Sequence, residues 1–379
     1  MKETSSNWSR RRFVSTAAQA GALLAFYPFW SRAARKEDRV TALVKSSMGI
    51  DTHNHIDVPL SASELPGPGL DLASEMRKSG FSAICMTFAV DYRKLTQEGQ
   101  AYARFLAGMD AMDQVLHANK MKRALHFQDL EAAHAAALPI VIQSVEGGHF
   151  LEGKIERLGI AYDRGLRHIG LLHDNDASVP LGDIYTKQPQ WGGLTEFGAQ
   201  VIREAERLGM VIDLAHCDPA TVDAALKVTT KPVLISHTGL DSQTGTDTRI
   251  AEMMRPRLIS RERAKIVADA GGVIGVWTHL AESPLAYAEN IRAMVDVVGV
   301  EHVCIGTDSK LTPPVPVSGC GHGGKQRRKT GRKSPFRTWR NNGAFRRTAR
   351  KRRLWRRKLR RQRRWLWRRR TSRRRYRRT

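Results

Sequence analysis

Six apolar runs in this chain of 379 residues stop on, or just before, a side chain that can bind a metal or carry a proton. Residues 48–51 lead into His53 and His55, 140–145 into Glu146, and 166–172 into His173. Residues 210–214 lead into His216, 233–236 into His237, and 302–306 into Asp308. A strand repeats every two residues, so His53 and His55 face the same way. Two imidazoles converging at a strand end suit a divalent cation better than an apolar core. A single strand-end histidine is more often hydrogen-bonded or solvated, and that account fails for all six positions together. Four histidines and a shared carboxylate are enough for two zinc-like ions. Two such ions about 3.5–4 Å apart share a hydroxide, lower the pKa of its parent water to about 7 and polarise a carbonyl. Asp308 is suited to orienting that hydroxide and passing its proton to a leaving amine. His173, not needed as a ligand, is suited to donating to the developing oxyanion.

These residues need a scaffold that brings many strand ends to one place. From Met48 onward, apolar runs alternate with amphipathic segments. Beyond the six runs, residues 81–88 and 273–277 read as two further strands. Several of the eight are nearly continuous in apolar residues, as in parallel strands buried on both faces. Between them, residues 195–208 read as a helix with Thr195 as N-cap and Phe197, Val201, Ile202 and Leu208 on its apolar face. Residues 260–270 read as another. Eight strands alternating with helices over this length predict an α/β fold, a (β/α)8 TIM-type barrel with the metal site at the C-terminal ends of its strands. A doubly wound open sheet is the rival. No Gly-x-Gly-x-x-Gly follows the first strand, so nucleotide binding has no support. No Gly-x-Ser-x-Gly elbow favours serine catalysis.

The motifs also carry a family resemblance. In order they are Asp-x-His-x-His at 51–55, Glu-Gly-Gly-His at 146–149, Leu-x-His-Asp-Asn at 171–175 and Gly-Leu-Thr-Glu-Phe-Gly at 193–198. Ile-Asp-Leu-Ala-His-Cys at 212–217, Pro-Val-x-x-Ser-His at 232–237 and Ile-Gly-Thr-Asp at 305–308 follow. From about Gly49 to about Pro314 the chain resembles the membrane dipeptidase (renal dipeptidase-like) metallopeptidases, within the amidohydrolase-type barrels. The resemblance implies a barrel with two Zn2+ ions that cleaves dipeptides or small amides. It implies that His53 and His55 bind one ion, that Glu146 bridges, and that His216 and His237 bind the other. It assigns the substrate carbonyl to His173, proton handling to Asp308, and the substrate's carboxylate to Arg257. Many relatives have Asp at the position of His55, so the neutral ligand here raises the charge of the site by one. Asp57 reads as a turn residue before Val58-Pro59 rather than as a replacement ligand.

The remainder of the chain reads differently. The net charge is +26, yet 30 of the 63 Lys and Arg residues lie between Lys310 and Thr379, where there is no Asp or Glu. Residues 1–309 are therefore nearly balanced, with 33 basic against 37 acidic. That excludes a nucleic-acid-binding body and leaves only the tail as a basic arm, with no specific nucleic-acid partner expected. Residues 315–379 read as a disordered Arg-rich tail from an out-of-frame translation, beginning where the last barrel helix would stand, so that this helix is missing. At the other end, Ser9-Arg10-Arg11-Arg12-Phe13-Val14 precedes a mild apolar stretch and resembles a twin-arginine export signal over residues 1–34. A linker at 35–47 follows, then the barrel at 48–314. Export implies a periplasmic enzyme, or a membrane-anchored one where the signal is not cleaved. The four cysteines lack Cys-x-x-Cys spacing and form no disulfide framework. Hydrolysis of an N-acyl amino acid or a lactone on the same centre is the alternative reaction, nucleic-acid binding through the tail an alternative of another class, and a homodimer the assembly the reading admits.

Overall fold

The apolar runs become strands because each is covered on both faces. All seven residues of β2 (Ala83–Ala89) are buried, and so are all five of β6 (Leu234–Thr238). A computed structural model describes residues 39–56, 58–60 and 69–310. The expected export signal, Asp57, the Arg-rich tail and the position of the last barrel helix lie outside the described residues. Residues 39–46, within the expected linker, are helical.

The remaining strands are β1 (Ile50–His55), β3 (Ile140–Glu146), β4 (Leu166–Gly170), β5 (Val211–Asp213), β7 (Val273–Val276), β8 (Val303–Ile305) and the two-residue β9 (Ser309–Lys310). Each of β1 to β8 pairs in parallel with the next, and β8 pairs with β1 through Asp51 and Ile305, closing a (β/α)8 barrel. β9 continues along β1, with Asn54 opposite Ser309 and His55 opposite Lys310. Residues 306–308 thus interrupt what is in effect one strand. The interruption lets Asp308 turn its side chain toward β1.

Helices cover the outside of this barrel: α1 (Leu72–Ser79), α2 (Gln100–Ala118), α3 (Phe127–Ala135), α4 (Arg157–Asp163), α5 (Glu196–Leu208), α6 (Pro219–Val228), α7 (Thr248–Met254), α8 (Arg261–Asp269) and α9 (Pro284–Val298). Helix α5 starts where expected, because the Thr195 hydroxyl accepts the N–H of Gly198 at 3.0 Å. Val201, Ile202 and Ala205 of α5 are buried, with Phe197 and Leu208 partly buried at the edge. Ser260 caps α8 in the same way, accepting from Arg263 N at 3.2 Å.

The expected strands differ from the observed ones chiefly at β1. It runs from Ile50 to His55, so both histidines sit inside the strand rather than beyond it. The cause is pairing on both sides, with β2 as far as His55 opposite Thr87 and with β9. The strand pleat therefore orients the two imidazoles directly. Close packing also governs the glycine of Ile-Gly-Thr-Asp: a Cβ at Gly306 would collide with the Ser236 carbonyl oxygen.

Candidate metal centre

Of the eight residues singled out from the sequence, six gather at one end of the barrel around the carboxylate of the seventh, Glu146, at the end of β3. Glu146 is buried, and its Oε1 lies 2.9 Å from His216 Nε2, 3.4 Å from His53 Nε2 and 3.7 Å from His237 Nε2. Its Oε2 lies 3.2 Å from His173 Nε2 and 3.6 Å from His55 Nε2. Asp308 stands beside this group, with Oδ1 3.0 Å from His55 Nε2 and 3.8 Å from His53 Nε2.

Five imidazoles thus turn Nε2 inward, and each is anchored outward through Nδ1. His53 Nδ1 is 3.2 Å from Ser236 Oγ, and His237 Nδ1 is 2.9 Å from the same hydroxyl. His55 Nδ1 is 2.6 Å from Tyr92 OH. His216 Nδ1 lies 3.1 Å from Tyr185 OH and 3.3 Å from Asp174 Oδ1, and the Tyr185 ring stacks on it. His173 Nδ1 is 2.5 Å from Asp91 Oδ1. An outer partner on one ring nitrogen, with the other nitrogen aimed at a shared point, is how histidines are prepared for a metal.

The local backbone explains how the side chains reach this point. His216 and Asp308 have φ of 66° and 51°, in the left-handed region that His and Asp tolerate better than most residues. In His216 this turn brings the side chain back over the end of β5, which stops at Asp213. Asp308 is held by its own N–H to His53 O at 3.1 Å. The long segment between β4 and α5 is shaped by Asp183, whose carboxylate accepts the N–H groups of Gln190 at 2.6 Å and Gly193 at 2.7 Å. It brings Tyr185 to His216, with Tyr185 N donating to His216 O at 3.1 Å. Gly147 has φ of 85°, and a Cβ there would run into the His149 ring and the side chain of His173.

The donor set fits divalent cations. Two nitrogens bound to one tetrahedral zinc at about 2.0–2.1 Å are separated by roughly 3.3 Å. The Nε2 atoms of His53 and His55 are 3.3 Å apart, and those of His216 and His237 are 3.1 Å apart. Three overlapping triads have donor atoms within 4.8 Å of one another: His53, Glu146 and His237; His53, His55 and Asp308; and Glu146, His173 and His216. Glu146 Oε2 is buried and has no hydrogen bond. A buried acceptor in that state is costly unless something else satisfies it. His173 belongs to one triad, so the geometry does not keep it apart from the ligands as expected.

Electrostatics divide the imidazoles. Burial, reinforced by His53, pushes the His237 pKa down to about 3, which leaves a neutral ring with a free lone pair. His216 behaves oppositely. Burial disfavours its charge, but Glu146 and Asp174 hold its proton up to about 10. Burial likewise opposes ionisation of Glu146 and Asp308, yet the surrounding histidines keep both carboxyls well below their usual range. The site is thus a negative well lined with imidazoles, where a cation would compete with the proton on His216.

Arg257 lies to one side, in a 3-10 turn over Arg255–Arg257. With His216, His237 and Tyr185 it lines a cavity of about 430 Å³. Its Nη2 is 3.4 Å from Asp174 Oδ1. Several partners escaped the sequence reading: Asp91, Tyr92, Tyr185, Ser236 and His279. His279 Nε2 lies 2.6 Å from Asp308 Oδ2. Asp91-Tyr92 and His279 stand two or three residues past β2 and β7, the two strands without a chemical residue at their expected ends. Looking slightly further along those strands would have found them.

The sequence profile described as Membrane dipeptidase (Peptidase family M19) matches residues 37–323. Dipeptidase verJ of Clonostachys rogersoniana is 30% identical over 171 residues, 43% of this chain and 41% of that protein. The chain thus aligns with less than half the length of that relative. Among solved structures, an amidohydrolase from Pseudomonas aeruginosa is similar with a TM-score of 0.60 and 22% identity, over 71% of this chain and 76% of that one. A metallo peptidase from Rhodobacter sphaeroides, liganded with a phosphinate mimic of L-Ala-D-Ala, is similar with a TM-score of 0.54 and 17% identity, over 69% and 85%. At these identities the two structures share the barrel fold.

Proposed function

The chain belongs to the membrane dipeptidase family, and from that premise we propose that it is a metallopeptidase that hydrolyses dipeptides with two zinc ions. The observation that carries the proposal is the ring of imidazoles whose Nε2 atoms converge on Glu146 while their Nδ1 atoms are anchored outside. In this reading His53 and His55 would hold one ion, with Asp308 beside them, His216 and His237 would hold the other, and Glu146 would be shared between them. Ions bound there would activate a water at neutral pH and polarise the scissile carbonyl.

The chain's own residues do the rest. The Arg257 guanidinium, on the rim of the adjoining cavity, binds the substrate's carboxylate and sets the scissile bond over the centre. Both ring nitrogens of His173 face carboxylate oxygens, on Asp91 and Glu146. His173 Nε2 therefore donates to the carbonyl oxygen as its negative charge grows. Asp308 Oδ1 accepts the proton of the attacking water and returns it to the leaving amine. His279, bound to Asp308 Oδ2, keeps Oδ1 turned toward that water.

Export through a twin-arginine route and a homodimeric assembly belong to the same proposal, the first supported by the Arg10-Arg11 motif. Among the described residues no helix is long and apolar enough to cross a membrane. N-acyl amino acid or lactone hydrolysis and nucleic-acid binding find no favour in the relatives matched. The test is hydrolysis of a dipeptide panel by the full-length chain, starting with L-Ala-D-Ala because the Rhodobacter sphaeroides neighbour holds its mimic. Cleavage abolished by a chelator and restored by zinc is expected. Cleavage indifferent to chelation, or turnover of N-acyl amino acids and lactones without dipeptides, would overturn the proposal.

A further inference from the structure

One layer back from the candidate centre is a buried pair that the proposed reaction does not use. Asp213 ends β5 and His168 lies in β4, and both are buried. Asp213 Oδ1 accepts two backbone N–H groups, from Ala215 at 3.0 Å and from Ser236 at 2.9 Å. Ala215 immediately precedes His216, and Ser236 immediately precedes His237. One carboxylate oxygen therefore fixes the backbone next to both histidines of the second half of the centre. Ser236 carries the restraint onward, since its Oγ is 2.9 Å from His237 Nδ1 and, more distantly, 3.2 Å from His53 Nδ1. The other oxygen, Asp213 Oδ2, lies 3.3 Å from His168 Nε2. An ionised carboxylate at this depth needs a counter-charge, and the His168 imidazole, when protonated, is placed to supply it.

The first half of the centre has a matching clamp with different support. Asp51 Oδ1 accepts His53 N at 3.3 Å and Thr307 N at 2.9 Å, so it fixes the backbone of one histidine and of the residue before Asp308. Its Oδ2 accepts from Thr307 Oγ1 and Asn54 Nδ2, at 2.6 and 3.2 Å. Asp213 therefore holds the backbone beside both histidines of the second half and reaches the first only through the Ser236 hydroxyl at His53.

Building on the metal reading above, we infer that Asp213, braced by His168, is a positioning residue chiefly for the second half: it sets the His216–His237 pair, while Asp51 holds the backbone of His53 and of the residue before Asp308. A pair that merely stabilised the barrel would affect both halves alike. Outer partners of metal-binding histidines typically change affinity by about 10–100-fold, which sets the expected effect.

The experiment is zinc titration of the full-length chain, with the two affinities read separately by calorimetry. The wild type takes up two ions. Asp213→Ala weakens one of them about 10–100-fold and the other far less. Asp213→Asn, which keeps an oxygen acceptor for the two N–H groups, retains both ions more tightly than Asp213→Ala. In a His237→Ala background, where the second half is already broken, Asp213→Ala adds little; in a His55→Ala background its effect is undiminished. Equal weakening of both ions, or equal losses in the Asn and Ala variants, overturns the inference. Should Asp213→Ala fail to fold, His168→Gln and His168→Leu give the same comparison: Leu must weaken one ion more than Gln does, and unchanged binding of both ions in the Leu variant is a contradiction. A wild-type chain that binds no zinc sinks the metal reading itself, so the two failures are distinct.

Discussion

The two halves of the candidate centre reach similar geometry by different routes. In the first, His53 and His55 come from one strand, two residues apart, and the pleat aims both. In the second, His216 and His237 come from β5 and β6 and are 21 residues apart. There the aim depends on a left-handed turn at His216 and on contacts from Asp213, Ser236 and Tyr185. Their buried carboxylates differ too. Burial pushes the Asp51 carboxyl up, against the pull of Thr307. Burial acts on Asp213 as well, but His168 more than offsets it and holds that carboxyl below its usual range. The histidine pair of the first half is set locally, because its residues share one strand, although Asp308 joins it only through closure of the barrel. The assembled half depends on groups that only the closed barrel brings together.

The largest effect should come from the group common to both halves. Glu146→Ala is expected to lower dipeptide kcat/KM by at least about 10³-fold, since metal-assisted chemistry contributes several kcal/mol, and to release both ions. Retention of one tight ion would show that the halves are more independent than the bridging position implies. Stripping the metal from the wild type should be felt as lost stability. Saturation at about 100 times Kd is worth about 2.7 kcal/mol, so a chelator should lower the melting temperature by roughly 5–10 °C, measurable by calorimetry.

Substitution at His55 sharpens the comparison. His55→Ala should weaken one ion by at least about 100-fold, more than the loss of an outer partner does, and spare the other. His55→Asp, which keeps a donor oxygen in the strand, should recover most of that loss, and an equal loss in both variants would remove His55 from the ligands. Arg257 tests the substrate side beside the second half. Removing a charge-assisted contact of about 1.5–3 kcal/mol predicts that Arg257→Ala raises KM about 10–100-fold with little change in metal content. An unchanged KM for dipeptides would separate Arg257 from the carboxylate. Smallest of all, His279→Ala should lower kcat about 10-fold, below the roughly 10²–10⁴-fold of positioned proton transfer itself because Asp308 remains, and leave the zinc affinities nearly as they were.

The same contrast explains what was legible in the sequence. The barrel was readable because parallel strands buried on both faces leave apolar runs, and β3 to β8 fall within a few residues of the expected positions. His53 and His55 were readable because their spacing matches the strand period. Glu146, His173, His216, His237 and Asp308 were readable as a set, since each closes an apolar run, and Arg257 came from the family resemblance. The outer partners were not. Tyr92, Tyr185 and His279 lie in loops, where no periodicity ties position to direction, and the role of Ser236 depends on two imidazoles meeting one hydroxyl from different strands. Asp51 and Asp213 stood in the quoted motifs, but their clamping of neighbouring strands is a property of the closed sheet.

The claim that both halves are metal sites joined by Glu146 is tested most directly by anomalous diffraction from zinc-loaded crystals of the full-length chain. Two peaks are predicted, one among His53, His55 and Asp308 and one between His216 and His237, with the Glu146 carboxylate between them. A single peak, or zinc bound away from Glu146, would contradict the account.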